Sequence, residues 1–234
     1  MKRIIVAIVS LLLSISMCIG FAMPAFAYEN TDKQIESAIE IKDATDLAIL
    51  EAELEEFLKE HPDSTEVEQD KHLLNFIRQG GLKNNRNEIK GVGDYLPGYG
   101  NLNEAERKLA LAHPAQAVKV YQAATTATNK TISVYGYNGW QDNSDAFRHC
   151  LWNALMKKSI GATAAEKWAT AHEYGASGLD KEMDLHNNKI GRSIDVSGKT
   201  ESQIVNSVKA KVRGGYCRRI VSGQLVATNG SGMN

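Results

Sequence analysis

The chain has 234 residues, 43% hydrophobic and 24% charged, with 4 prolines and a formal charge of −1. This composition excludes collagen-like, low-complexity and wholly disordered chains, and 3 cysteines exclude a disulfide-dense miniprotein. No internal repeat of solenoid period is visible, so the length fits one domain with at most a small added segment.

The first 27 residues read as a secretory signal peptide. Lys2 and Arg3 form its basic start, Ile4 to Phe21 is nearly all apolar, and Ala25-Phe26-Ala27 is a small-x-small cleavage sequence. Cleavage there leaves an exported chain of 207 residues that begins at Tyr28. No later stretch is apolar enough for a transmembrane segment.

Residues 28–70 hold 15 acidic and 3 basic side chains, a charge of −12; residues 71–234 hold 13 and 22, a charge of +9. Ile35, Ile39, Leu47, Leu50, Leu54 and Phe57 recur at helical spacing, which predicts an amphipathic helix over 31–60. The expected organisation is therefore a signal peptide (1–27), an acidic helical segment (28–70) and a basic helical domain (71–234). The acidic segment has two readings: a solvated helix packed on the basic domain, or a detachable cover over its site.

Helix-start signals follow in series. Thr65–Glu68, Asn103–Glu106, Thr163–Glu166 and Thr200–Gln203 have capping-box spacing, Pro114 suits a first helical turn, and Asn143-Ser144 supplies another cap. They predict helices over 65–79, 103–112, 114–127, 144–159, 164–174, 181–190 and 200–213. Residues 91–100 are a glycine-rich loop. Tyr216–Val221 and Gln224–Thr228, separated by Ser222-Gly223, predict a hairpin. The fold class is mainly α: a multi-helix domain with a short C-terminal β-hairpin. Cys150 and Cys217 either close a loop of about 66 residues as a disulfide, stabilising by about 4 kcal/mol, or stay as two buried thiols.

Polar chemistry concentrates in three clusters. Asp145, His149 and Asn153 lie at i, i+4 and i+8, one stripe of a helix; Arg148 is beside them. His172-Glu173 ends the next helix. Asp184, His186, Asn187, Asn188 and Arg192 make the third cluster. A regular helix puts Asp184 and Asn188 on one face and His186 elsewhere; an extended segment aligns Asp184 with His186 instead. Imidazole and carboxylate are the donors that zinc and similar divalent ions take, and such an ion turns bound water into a nucleophile. The predicted ligands are His149, His172, Asp184 and His186, with zinc the expected metal. Glu173, His149 and Asp145 are the predicted catalytic acids and bases. Arg148, Arg192, Asn153, Asn187 and Asn188 are the predicted substrate contacts. A metal-free Asp145–His149 dyad and a structural hydrogen-bond network are the competing readings. His61, His72 and His113 read as ordinary helix-end or surface residues.

The run Asn143-Ser144-Asp145-Ala146-Phe147-Arg148-His149, with Leu151-Trp152-Asn153-Ala154, Ala171-His172-Glu173, Met183-Asp184-Leu185-His186-Asn187-Asn188 and Gly191-Arg192, resembles an uncharacterised bacterial domain family. That family occurs in secreted proteins and at the ends of longer exported or toxin-like chains. The likeness covers about ninety residues, from near Leu102 to Arg192, and implies which residues matter without implying a reaction. The order of the clusters is also similar to that of helical metal-dependent phosphohydrolases, with His172-Glu173 where those have His-Asp. The function expected is an exported hydrolase with a divalent metal or a His/acid centre. Its substrate is anionic: phospholipid, nucleic acid or wall phosphopolymer. The alternative is a non-catalytic secreted binding domain.

Overall fold

The computed structural model describes residues 40–86 and 100–234. The signal peptide, residues 28–39 of the acidic segment and most of the 91–100 loop lie outside the described residues. The described residues belong to one compact unit. Among the described residues there are nine helices: α1 (Ala44–Glu60), α2 (Glu66–Arg78), α3 (Gly81–Asn85), α4 (Glu104–Ala112), α5 (Pro114–Tyr135), α6 (Asn143–Ile160), α7 (Ala162–His172), α8 (Gly178–Ser193) and α9 (Glu201–Arg213). A two-stranded antiparallel hairpin, β1 (Arg218–Val221) and β2 (Gln224–Ala227), follows them. No helix among these residues is long and apolar enough to cross a membrane.

Helix α1 starts at Ala44 because Asp43 stops the preceding chain from joining it. The Asp43 carboxylate accepts from the N–H groups of Thr45 (3.0 Å) and Asp46 (3.1 Å), which satisfies two donors that the first turn leaves without partners. Leu47, Leu50 and Leu54 are buried, and α1 and α2 both pack on α5. The change of charge at residue 70 therefore falls inside α2, within the packed body. Capping boxes form at Thr65–Glu68, Asn103–Glu106 and Thr200–Gln203. The one expected at Thr163–Glu166 does not, because α7 begins earlier, at Ala162, and Glu166 pairs with Arg192 instead.

Helix α5 runs two turns past the expected end. Its threonines would otherwise weaken it, but Thr131 Oγ1 donates to the carbonyl of Ala127 (2.7 Å) and packing buries Thr128, Thr131 and Val134. Tertiary burial overrides propensity here. The start of α5 lacks its own side-chain cap, and Asp70 of α2 takes that place by accepting from Ala115 N–H at 2.8 Å.

Helix α6 is the central element. It packs on α5, α7, α8, α9 and β1, and Phe147, Cys150, Leu151, Ala154 and Met156 are fully buried. A helix buried on nearly every side has no polar face to spare, so its polar residues must find partners inside the protein. Asp142, one residue before the expected cap, accepts from Ser144 and Asp145 N–H; Asn143 instead bonds Asn229 and Ser231 in the C-terminal tail.

The crossing of α6 and α8 is set by Gly191. A Cβ there would stand 2.1 Å from the Cys150 carbonyl oxygen and 2.8 Å from Asn153 Cβ. Only a residue without a side chain lets the two backbones approach this closely. That approach brings the Asp145 stripe of α6 against the Asp184 stripe of α8.

Candidate metal centre at the α6–α8 crossing

His149 occupies the middle of the crossing. Its Nε2 lies 3.5 Å from Asp145 Oδ1 and 3.5 Å from Asp184 Oδ1. Among the described residues, Asp145, His149 and Asp184 are the one group of three whose ligand atoms converge, all within 4.8 Å of one another, and all three residues are buried.

A chain of hydrogen bonds fixes which nitrogen of His149 carries its proton. Arg192 Nη1 donates to Asn153 Oδ1 at 2.7 Å. Arginine has no acceptor, so that amide must turn its oxygen to Arg192 and its nitrogen the other way. Asn153 Nδ2 then donates to the His149 carbonyl (3.2 Å) and to Asn188 Oδ1 (2.6 Å). Asn188 must in turn present its oxygen, which also faces His149 Nδ1 at 3.3 Å. His149 therefore carries its proton on Nδ1, and the Nε2 lone pair points at two carboxylate oxygens.

The charges of the site agree with this assignment. Burial, with the charges of Arg148 and His172, holds His149 well below the ordinary imidazole range, so the ring is neutral. Burial pushes Asp184 up to about 9, reinforced by Asp145, Glu173 and Asp180. Asp145 is raised by burial against the lowering charge of Arg148, and Glu173 by burial against that of His172. Asp184 Oδ1 and Glu173 Oε1 are buried without a well-formed hydrogen bond.

A cavity of about 260 Å³ opens on this cluster. Its lining combines Ala124, Ala127, Thr128 and Trp152 with Asp145, His149, His172, Glu173, Asp180 and Asp184. Trp140 stands at its edge, 70% exposed, on a loop tied down by Gln141 N–H donating to Asp145 Oδ2 at 2.6 Å. Sequence reasoning missed Trp140 and Asp180; Asp180 precedes Asp184 by four residues on the same helix, an i,i+4 signal that could have found it, whereas no spacing marks Trp140.

The other predicted residues separate into two groups. His172 faces the cavity with its ring centroid 6.3 Å from that of His149. Its Nδ1 is 2.7 Å from Glu106 Oε1. Burial opposes its charge, but Glu106 and then Glu173 outweigh burial and raise its pKa. His172, a predicted ligand, is not part of the group whose ligand atoms converge, and its Nδ1 is engaged by Glu106. Glu106 was legible only as a capping residue of α4, and nothing in its spacing linked it to a position 66 residues on.

His186, Asn187 and Arg192 do not join the cluster. Two positions beyond Asp184 is roughly 200° around the helix, and His186 Nε2 donates to the Tyr216 carbonyl at 2.8 Å. His186 is therefore not a ligand of this centre. Asn187 pins β1, accepting from Arg218 N–H (2.8 Å) and donating to its carbonyl (2.9 Å). Arg192 is held by Asn153 and Glu166, and Asn153 and Asn188 are fully buried. Arg192, Asn153 and Asn188 form the chain that reaches His149, and Asn187 holds β1; none of the four lines the cavity. Arg148 lines the cavity, but it bonds Asp145, Asn138 and the Gly139 carbonyl. His72, expected as an ordinary helix-end or surface residue, pairs with Glu53 at 2.6 Å. None of residues 40–70 lines the cavity, so this part of the acidic segment does not cover the site.

Residues 107–216 match the model of a family described as a domain of unknown function (DUF6973). This agrees with the resemblance to an uncharacterised family. The matched span holds Asp145, His149, Glu173 and Asp184, and begins one residue after Glu106. No curated protein and no solved structure matched the chain.

Proposed function

We propose that Asp145, His149 and Asp184 hold a divalent cation, and that the chain is an exported hydrolase built on that centre. One observation carries the reading. A bare imidazole nitrogen and two carboxylate oxygens point at one another, with the nitrogen 3.5 Å from each oxygen. Electron pairs so arranged repel unless a proton or a cation lies among them. The donor set of one imidazole and two carboxylates suits zinc, the first ion to test, and also manganese. The Asn188 bond to Nδ1 is the orienting partner that a metal-bound histidine uses.

The cation would lower the pKa of water bound in the open position. Glu173, which burial keeps protonated to higher pH, is placed to give a proton to a leaving group. His172, whose bond to Glu106 favours its charged form, would balance negative charge on the substrate. Arg148 and Arg192 are engaged inside the protein and do not serve as clamps. Four carboxyl groups line the cavity, so an anionic substrate, with a phosphoester the first class to test, enters only after the cation has balanced them.

The second reading fills the same gap with a proton. The raised pKa of Asp184 favours it: a protonated Asp184 donates to His149 Nε2, and the cluster is a structural network in a secreted binding domain. Titration of the metal-stripped mature protein with Zn²⁺, followed by calorimetry, separates the two. The hydrolase reading expects about one ion per chain and loss of binding in Asp184→Asn. Absence of binding in a folded protein assigns the gap to the proton. Export is tested by the N-terminal sequence of protein recovered outside the cell, expected to begin at Tyr28.

A further inference from the structure

Cys150 and Cys217 lie outside the cation centre and have no role in it. Cys150 follows His149 on α6, and Cys217 precedes β1. Both are free thiols, fully buried in the same hydrophobic core where α6 packs against β1, and Cys217 is the neighbour that acts most strongly on the Cys150 thiol. The backbone around Cys217 is fixed from two directions. On one side His186 donates to the Tyr216 carbonyl and Asn187 grips Arg218 through both its amide atoms. On the other, Thr228 donates to the Cys217 carbonyl through N–H (3.0 Å) and Oγ1 (3.3 Å).

A catalytic or sensing dithiol needs an accessible thiolate. Neither sulfur here can be reached from solvent in the folded state, so such roles are excluded. What remains is a link between two elements far apart in sequence. Two buried thiols on packed elements can be bridged where their backbones lie close enough for disulfide geometry.

We propose that Cys150 and Cys217 are an oxidation site, joined as a disulfide in the exported protein, and that the bond clasps the C-terminal hairpin to the α6–α8 pair. This rests on the export reading and not on the cation. The oxidant is a thiol–disulfide oxidoreductase. One chain thiolate attacks the oxidant's disulfide, forming a mixed disulfide and releasing one oxidant thiolate. The second chain thiolate attacks the chain sulfur of that mixed disulfide and expels the other. The chain loses two protons and two electrons, and the oxidant's disulfide becomes a dithiol. Because both sulfurs are buried in the finished fold, the exchange precedes final packing of the hairpin.

The test uses the full chain expressed with its own N-terminus in a secreting host. Exported protein is denatured without reductant in the presence of an alkylating agent, digested, and mapped by mass spectrometry. The expected result is one cross-linked species containing the Cys150 and Cys217 peptides, which reductant converts to two separate peptides. Two alkylated free cysteines at these positions overturn the proposal, and so does retention of the chain inside the cell with its thiols reduced. Melting the folded protein gives a second readout. Reductant should lower the Tm of the natural chain by several degrees and leave the Cys150→Ala/Cys217→Ala double variant unmoved. An unchanged Tm after verified reduction removes the clasp.

Discussion

His149 and His172 face one cavity with their rings 6.3 Å apart, yet the protein treats them in opposite ways. The carboxylates nearest His149 lie at 3.5 Å, on the side of a bare nitrogen, and its bonded nitrogen meets a neutral amide. His172 meets a carboxylate at 2.7 Å through its bonded nitrogen. The pKa of the first ring is lowered and that of the second raised. Burial lowers both; at His149 the charges of Arg148 and His172 add to it, whereas at His172 the Glu106 carboxylate on Nδ1, with Glu173, outweighs it.

The largest expected effect breaks the His149 side directly. His149→Ala and Asp184→Asn should each abolish Zn²⁺ binding measured by calorimetry, while His172→Gln keeps it. Equal loss in all three variants would show that the two histidines form one ligand set. Next comes the orienting chain. Asn188→Ala leaves Nδ1 without its acceptor and should weaken cation binding by about 10–100-fold, with Asn153→Ala smaller in the same direction. Nitrogen chemical shifts of the His149 ring, expected to report a proton on Nδ1, check the cause independently of affinity.

The pH dependence sharpens the contrast further. The folded pKa of Asp184 is raised from 3.8 to about 9, so the metal-free fold binds more protons than the unfolded chain across that window. Its contribution to stability is full below 3.8 and is lost as pH rises toward about 9. A divalent cation takes the place of that proton, so the increase in Tm on adding Zn²⁺ should grow with pH over this window. A shift that shrinks with rising pH would contradict the assignment. On the other side, His172 is raised above 6.5. The stability it contributes is full below 6.5 and fades as pH rises through its folded value. The deficit of Glu106→Gln relative to the natural chain, measured by urea unfolding, should therefore be greatest in acid and shrink toward alkaline pH. The smallest effect is expected of His186→Ala: at most about 1 kcal/mol from the bond to Tyr216, with cation binding unchanged.

Much of the centre is legible because it is local. Asp145, His149 and Asn153 are one stripe of α6 by spacing alone, and the same rule sets Asp184 with Asn188 and turns His186 away. The helix starts are legible where a side chain caps its own backbone, as at Thr65 and Thr200. Glu106 and Trp140 were not legible, because they come to the cavity through packing between elements and no periodicity encodes that. Helix α5 was underestimated for a related reason: its threonines satisfy themselves within the helix once burial removes water as a competitor. Asn153, Asn187 and Arg192 bond partners inside the protein, and spacing alone does not distinguish such a partner from a ligand.

Gly191 sets a length scale for the whole centre. Its missing Cβ fixes how near α8 comes to α6, and through that the gap among Asp145, His149 and Asp184. Adding one methyl group there would act as a wedge, spreading three donors that no longer agree on a single occupant. Any attempt to graft this centre onto another helix pair has to reproduce that bare position as faithfully as the donors themselves. In this protein the ruler is an absence, and the donors are only the marks on it.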